Sequence, residues 1–210
     1  MAFLYTILLN ATAMPDAIPA RMKGFLLNPA ETFRNCRDDP AGSVLSYFAV
    51  LLIIDALLTS AIAVLGIGYL GAFLKYIPAN SYYLPAVVFL IVLLGGLVWA
   101  LIISAWIHLW VYLVGGRKGI FSTVRAVLYG MTPGLLFGWI PVVGIFFTLW
   151  ALVLEIIGIR ELQEISGGKA ILVMIIAFLI PTLLIVLAAA WFMVSSVSTV
   201  TPVAVPPGFS

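Results

Sequence analysis

Residues 120–159 read IFSTVRAVLYGMTPGLLFGWIPVVGIFFTLWALVLEIIGI and carry only two charged side chains. A single helix of this length would be about twice the 20 or so residues that cross a bilayer. Pro141 lies near the middle of the stretch, where it removes a helical hydrogen-bond donor and clashes with the preceding turn, and a glycine stands three residues to either side of it. The stretch therefore predicts two antiparallel membrane spans, 120–139 and 142–159, joined by a tight corner.

The composition supports a membrane protein. Of 210 residues, 64% are hydrophobic and 9% are charged, whereas about 25% are charged in an average soluble domain. These few charges could not cover the surface of a soluble globule, so the apolar segments are expected to face lipid. One cysteine and one histidine permit neither an intramolecular disulfide nor a multi-histidine metal site. We expect no metal, no cofactor and no binding of nucleic acid.

Three further apolar stretches, 44–67, 84–114 and 170–194, bring the number of predicted spans to five. The stretch 84–114 would be about 46 Å long as a helix, against a hydrocarbon core of about 30 Å. It must therefore tilt, protrude or bend at the pair Gly95-Gly96. The predicted fold class is all-α, a polytopic membrane helical bundle with five transmembrane helices.

The distribution of basic residues predicts the orientation. Nine of the ten Lys and Arg residues lie before the first span, between the second and third spans or just inside the third, or between the fourth and fifth; Lys75 alone lies on the other side. Because cytoplasmic loops are enriched in Lys and Arg, the N-terminus is predicted to be cytoplasmic and the C-terminus external. We expect a multi-pass protein of the plasma membrane, with residues 195–210 as a disordered external tail.

Residues 1–43 are predicted to form a cytoplasmic segment. Within it, Asn28-Pro29-Ala30-Glu31 combines a cap residue, a proline at the first helical position and a glutamate at the third. This pattern predicts a short amphipathic helix from Pro29 to about Arg37. We expect that helix to lie on the inner membrane surface, with Phe33 apolar among basic neighbours.

Two other segments allow two interpretations each. The apolar stretch 3–9 is too short to span and lacks the basic start of a signal peptide, so either it is an interfacial stub, or translation begins at Met14 or Met22 instead of Met1. The aromatic outer loop 68–83 is interpreted as part of the interfacial belt, with a partner-binding surface as the alternative.

Four ionisable residues lie at membrane depth, where each is a functional candidate. A hairpin centred on Ile140 would place Arg125 and Glu155 at equal depth. We therefore predict a structural ion pair between Arg125 and Glu155 near the cytoplasmic interface. The other two residues, Asp55 and His108, are the intramembrane polar candidates.

Asp55 lies close to the middle of the first span, and no basic residue of another span can be placed at its depth. Either it is a protonated carboxyl hydrogen-bonded to another helix, or it lines a path through the membrane. His108 has Ser104 one turn away, but a regular helix offers neither a strained nucleophile turn nor an oxyanion site. We expect His108 to make a helix-to-helix hydrogen bond and the protein not to be an enzyme.

Gly130, Gly134 and Gly138 recur at every fourth residue of the third span. Such a stripe lets another helix backbone approach closely, but the partner is left open between the fourth span, the first span and a second subunit. Pro133 and Pro181 predict bends in the third and fifth spans.

Several short motifs in the chain resemble those of a known family of membrane proteins. They are the residues 26–33, Gly115-Gly116, Phe121, 127–130, Thr132-Pro133, Ile140-Pro141, Trp150, 156–162, Ser166 and Lys169-Ala170. Through them the chain resembles the Yip family of five-span membrane proteins. The resemblance implies a non-enzymatic protein and, in eukaryotic members, a role in vesicle trafficking through binding of small GTPases. The chain lacks the long polar N-terminal region of those members and is similar to compact prokaryotic ones.

Two functional hypotheses follow. The first is a scaffold that organises the membrane or binds a partner, either a cytoplasmic protein or a second copy, through the segments 29–37, 115–123 and 160–169. The alternative is a small oligomeric transporter or channel that uses Asp55. A packed helix facing Asp55 would favour the scaffold, and a water-accessible cavity would favour transport.

Overall fold

The structure is a computed structural model that describes residues 17–67 and 83–198. The predictions for the stretch 3–9, for Met1 and Met14, for nearly all of the loop 68–83 and for the tail beyond residue 198 lie outside the described residues.

The described residues form eight helices and no strand. The helices are α1 (Ala17–Leu27), α2 (Pro29–Asn35), α3 (Ala41–Val64), α4 (Leu84–Leu113), α5 (Ile120–Gly130), α6 (Thr132–Phe137), α7 (Val143–Gln163) and α8 (Gly167–Ser198). Five segments are long and apolar enough to cross a membrane: α3, α4, α5 with α6, α7, and α8. The predicted all-α fold with five spans is confirmed.

The corner that divides residues 120–159 lies where the sequence predicts it. Helix α6 ends at Phe137 and α7 begins at Val143, with Pro141 between them. Val142 has a φ of 67°, which is unfavourable for a β-branched residue. The corner is therefore a strained turn that the packing of the two flanking helices must hold in place.

The prolines and glycines within the spans act differently from one another. Helix α5 ends at Gly130, and Pro133 lies in the first turn of the next helix, so the third span is broken at Met131. Pro181, in contrast, lies inside the continuous helix α8. Helix α4 also runs unbroken through Gly95-Gly96. We attribute the break at Pro133 to its lack of a backbone donor.

The chain divides into two compact units, the first ending at Met174 and the second beginning at Ile175. In the first unit, α3 packs against α4 and α6, while α7 packs against α2, α5 and α6. The described part of the second unit is the remainder of α8, which reaches Ser198, four residues into the segment predicted as a tail.

The N-terminal helices are part of the protein core. Helix α2 begins at Pro29, as the sequence pattern predicts. The Phe33 side chain is 0% exposed, and a Cβ added at Gly158 of α7 would lie 2.8 Å from its ring. Phe33 is therefore part of the packed core, and the position of α2 on the inner membrane surface stays a prediction. Because Gly158 has no side chain, it leaves a space that the Phe33 ring fills.

Candidate functional site: a charged platform and an intramembrane cavity

Glu164 joins three separate segments of the chain at one end of the first unit. It follows α7 with a φ of 53°, which turns its side chain away from the helix. Its carboxylate lies 2.7 Å from Arg37 Nη1 and 2.5 Å from Lys118 Nζ. The hydrogen bond from Lys118 and the charges of Lys118 and Arg37 hold the pKa of Glu164 below its ordinary value.

Glu161, one turn earlier, strengthens this arrangement. It accepts a hydrogen bond of 2.8 Å from Arg34 Nε, and Arg160 lies 2.5 Å from its other oxygen. The hydrogen bond to Glu161 raises the pKa of Arg34. Glu161 and Glu164 thus tie together the segments 29–37, 115–123 and 160–169, which we call the charged platform.

A second polar cluster lies between α1 and α5. The Tyr129 hydroxyl donates to Asp39 Oδ2 over 2.5 Å, and Arg21 Nη1 lies 2.8 Å from the same oxygen. Burial alone would lower the pKa of Arg21, but electrostatic interactions, including that with the Asp39 carboxylate, outweigh it and the pKa is raised. The cluster fixes α1 and the start of α3 to α5.

Aromatic rings continue this cluster into the core. Phe25 stacks on Tyr129 with ring centroids 4.9 Å apart, and Tyr47 meets Tyr129 edge to face at 5.2 Å. Thr132 donates to the Tyr129 carbonyl, so the Tyr47 hydroxyl donates to Thr132 Oγ1 over 3.0 Å. The motif of a tyrosine followed by Thr-Pro was the available sequence signal for this cluster, but the partners Arg21 and Asp39 were not predicted.

Gln163 is the centre of a buried hydrogen-bond network behind the platform. Its side chain is 2% exposed. Its amide nitrogen donates to the Gly119 carbonyl and to Thr123 Oγ1, each over 2.9 Å, and its amide oxygen accepts from the Lys118 backbone over 3.1 Å. This network holds the turn before α5 against the end of α7, and sequence reasoning did not single it out.

His108 reaches the same network. His108 Nδ1 lies 2.8 Å from Thr123 Oγ1, which is a hydrogen bond between α4 and α5. Ser104 instead donates to the carbonyl of Ala100, within its own helix. Each of the two side chains thus has its own partner, and no nucleophile and base are paired between these two residues.

The predicted ion pair between Arg125 and Glu155 is wrong. Arg125 Nε donates to the Asp39 carbonyl over 3.0 Å, and its guanidinium lies over the ring of Phe121 at 4.5 Å. Glu155 is 6% exposed and faces Gly130. These two described residues therefore point to different neighbours.

The register of the hairpin explains this error. Facing positions of the two helices, such as Gly130 with Glu155 and Gly134 with Ala151, have numbers that average between 142 and 143, whereas the prediction used 140. The corner itself lies where predicted, but the register of the two helices is shifted by two or three residues, so the residue at the depth of Arg125 is close to Arg160. An ion pair with Glu155 would require Arg125 to reach along α7 by more than one turn.

The glycines of the third span differ in how closely they are packed. A Cβ added at Gly130 would lie 2.6 Å from Glu155 Cγ and 3.0 Å from the Glu155 backbone nitrogen. At Gly134 the nearest atom, the Cβ of Ala151, would be at an ordinary 3.6 Å. Gly138 lies at the corner, where Gly144 approaches its backbone. Gly130 and Gly134 thus face α7, the fourth span.

Asp55 lines a cavity of about 470 Å³ at the other end of the first unit. The cavity lies between the second half of α3 and the corner between α6 and α7, with Trp139, Pro141 and Ile145 among its lining residues. Thr59 Oγ1, in the same helix, donates to Asp55 Oδ1 over 3.3 Å. Asp55 therefore faces a cavity and not a packed helix. In the described ranges, no three His, Cys, Asp or Glu side chains are grouped so that they could hold a metal ion.

The fold and these sites define a multi-pass α-helical membrane protein. The chain matches the family model for the Yip1 domain over residues 23–201, and it therefore belongs to the Yip family. Comparison with curated proteins and with solved structures finds no match.

Proposed function

We propose that this protein is a non-enzymatic scaffold of the plasma membrane that binds a partner through the charged platform. In this proposal the N-terminus and the platform are cytoplasmic and the C-terminus is external. The partner is a cytoplasmic protein or a second copy of the chain.

The observation that carries the proposal is the double contact of Glu164 with Arg37 and Lys118. Three segments that are distant in the sequence are held together as one surface before any partner binds. A surface that is ordered in advance loses less conformational entropy on binding, so more of the contact energy appears as affinity.

The proposal is tested by photo-crosslinking in cells. A photoreactive amino acid is placed at the exposed positions Asn35 and Lys169 of the platform and, as a control, at the exposed apolar position Leu94 of α4. We expect the same crosslinked protein from both platform positions and none from Leu94. We expect Glu164→Lys to abolish the product, while Asp38→Lys, which reverses an exposed charge outside the platform segments, leaves it.

A product of twice the chain mass would identify a second copy as the partner. Equal crosslinking in the folded Glu164→Lys variant would contradict the proposal. The orientation is tested with a cysteine at Lys169, which a membrane-impermeant thiol reagent should label only from the cytoplasmic side.

Transport through a path lined by Asp55 is the second candidate, and the cavity at Asp55 favours it. Among the described residues, however, the side of α3 that precedes Asp55 is packed: Phe48, Leu51 and Leu52 are at most 3% exposed. This packing argues that the cavity is closed toward the platform and does not continue as a path through the protein. Ion or proton flux into vesicles that contain the protein, lost in Asp55→Asn, would replace the scaffold proposal with transport.

A further inference from the structure

The cavity beside Asp55 has walls that are apolar apart from a few groups. Its polar side chains include Thr148, whose hydroxyl donates to the Gly144 carbonyl, and Trp139, whose indole N–H donates to the Leu136 carbonyl. Both of these groups are engaged within their own segments. Among the described lining residues, Asp55 is the one that offers a charged acceptor to a bound molecule.

No basic side chain lines the described walls of this cavity. The hydrogen bond that the described residues give Asp55, from Thr59, is long at 3.3 Å and comes from a neutral hydroxyl. A carboxylate in an apolar site is strongly stabilised by a cation beside it. The cavity therefore combines a negative charge with apolar surface, which is the complement of a cation that carries apolar groups.

We propose that this cavity binds an organic cation with an apolar body, such as an ammonium or phosphonium ion, whose charge lies against Asp55. Its volume of about 470 Å³ lies within the range of pockets that hold small molecules, about 300–1,000 Å³. This site is separate from the charged platform, and it stands whether or not the platform binds a partner.

The depth of Asp55 indicates the source of the cation. Asp55 precedes the end of α3, at Val64, by nine residues, or about 14 Å of helix. The headgroup of a bilayer lipid lies at the interface and would have to be drawn inward to reach it. A free cation, surrounded by its own apolar groups, reaches this depth without leaving a charge in contact with hydrocarbon.

The test measures binding of tetraphenylphosphonium to the full chain in nanodiscs of phosphatidylcholine, with empty nanodiscs as the blank. Tetraphenylborate has nearly the same shape and the opposite charge, so it separates charge recognition from apolar partitioning. We expect saturable binding of one phosphonium per chain and none of the borate. Equal binding of the two ions would overturn the proposal.

Two pairs of variants locate the site. Asp55→Asn should weaken phosphonium binding at least tenfold, whereas Asp38→Asn, which removes an exposed acid outside the cavity, should change it less than twofold. Ile145→Trp should block binding by filling the cavity, whereas Phe146→Trp, at a neighbouring position that does not line it, should not. Unchanged binding in either folded cavity variant would overturn the proposal, and the tryptophan pair keeps the test valid if Asp55→Asn fails to fold.

A final arm separates the two sources of cation. The titration is repeated in nanodiscs that contain phosphatidylethanolamine, whose headgroup carries an ammonium. An unchanged affinity for phosphonium supports a free cation as the occupant. An affinity for phosphonium that is lower with phosphatidylethanolamine than in phosphatidylcholine alone would show competition by the lipid. This result would overturn the free cation as the occupant and identify the lipid ammonium as the bound group.

Discussion

The two ends of the first unit treat acidic side chains in opposite ways. At the charged platform, Glu161 and Glu164 each contact two basic residues, at least one of them from a distant segment. At the corner end, the described part of the chain offers Asp55 one neutral donor, from its own helix. Acids near water can join segments at low cost, since water solvates them whenever the pair opens. Since the hydrogen bond to Asp55 lies within α3, it joins no two segments and leaves the Asp55 carboxylate facing the cavity.

The largest loss of stability is expected at the contact between α5 and α7, the two helices that run between the platform end and the corner end of the first unit. Gly130→Leu should prevent folding, because even its Cβ would overlap Glu155 and every further atom of the leucine adds to the overpacking between the two helices. Gly95→Leu, where a Cβ meets open space, is the matched control. Thermal unfolding in detergent distinguishes the two, and a stable Gly130→Leu protein would contradict the described packing.

The next largest effect is expected when α1 and α2 lose their attachment to the rest of the first unit at the platform end. Phe33→Ala removes a fully buried ring, and such substitutions cost about 3–5 kcal/mol. We expect α1 and α2 to detach and Arg21 to become accessible to trypsin. Phe146→Ala, at a side chain that is 70% exposed, should leave cleavage unchanged. If Arg21 stays protected in Phe33→Ala, the aromatic ring is not what holds these helices.

The cavity end is examined with a cysteine in place of Asp55, in a Cys36→Ser background. Because Asp55 lines the cavity, we expect a water-soluble thiol reagent to label this cysteine from the side of the corner. The adjacent position Ala56 is 0% exposed, and a cysteine there should react at least tenfold more slowly. Equal protection of both positions would mean that the cavity is closed to water.

The natural cysteine belongs to the platform end and should be almost inert. Burial raises the pKa of the Cys36 thiol to about 11, and the thiolate is the reactive form. We expect its alkylation to be slow at pH 7 and to accelerate about tenfold for each pH unit up to pH 10. A rate at pH 7 equal to that of a free thiol would show that Cys36 is not buried.

The smallest effect is expected when low pH protonates Glu164 and weakens its exposed ion pairs with Arg37 and Lys118. Its pKa is lowered in the folded protein, so the contribution of the bridge is complete above the unfolded value of about 4.3 and is lost as the pH falls through the folded pKa. Hydrogen exchange of α2 should therefore be the same at pH 7 and pH 5 and increase below about pH 4. In Glu164→Gln this pH dependence should be reduced, whereas Glu31→Gln should retain it.

The errors of sequence reasoning have a common origin in long-range geometry. The corner at Pro141 and the start of α2 at Pro29 were predictable because proline acts on its own backbone. The partner of Arg125 was not, because a shift of two or three residues in the register of the two helices changes every facing pair of the hairpin. The contacts of Tyr129 with Arg21 and Asp39 join positions that are about 90 or more residues apart, and no local pattern encodes them.

The sequence by itself determined the number of spans and the position of the corner, because the length of an apolar stretch and the backbone chemistry of proline are properties of neighbouring residues. It also singled out Asp55, since a charge within an apolar stretch is visible without a structure. Only the tertiary structure decided that Glu161 and Glu164 join the platform, that Phe33 is buried against Gly158 and that Asp55 faces a cavity. These features depend on which faces of neighbouring helices are in contact. The register of packed helices is set by the whole arrangement of side chains and not by any local pattern.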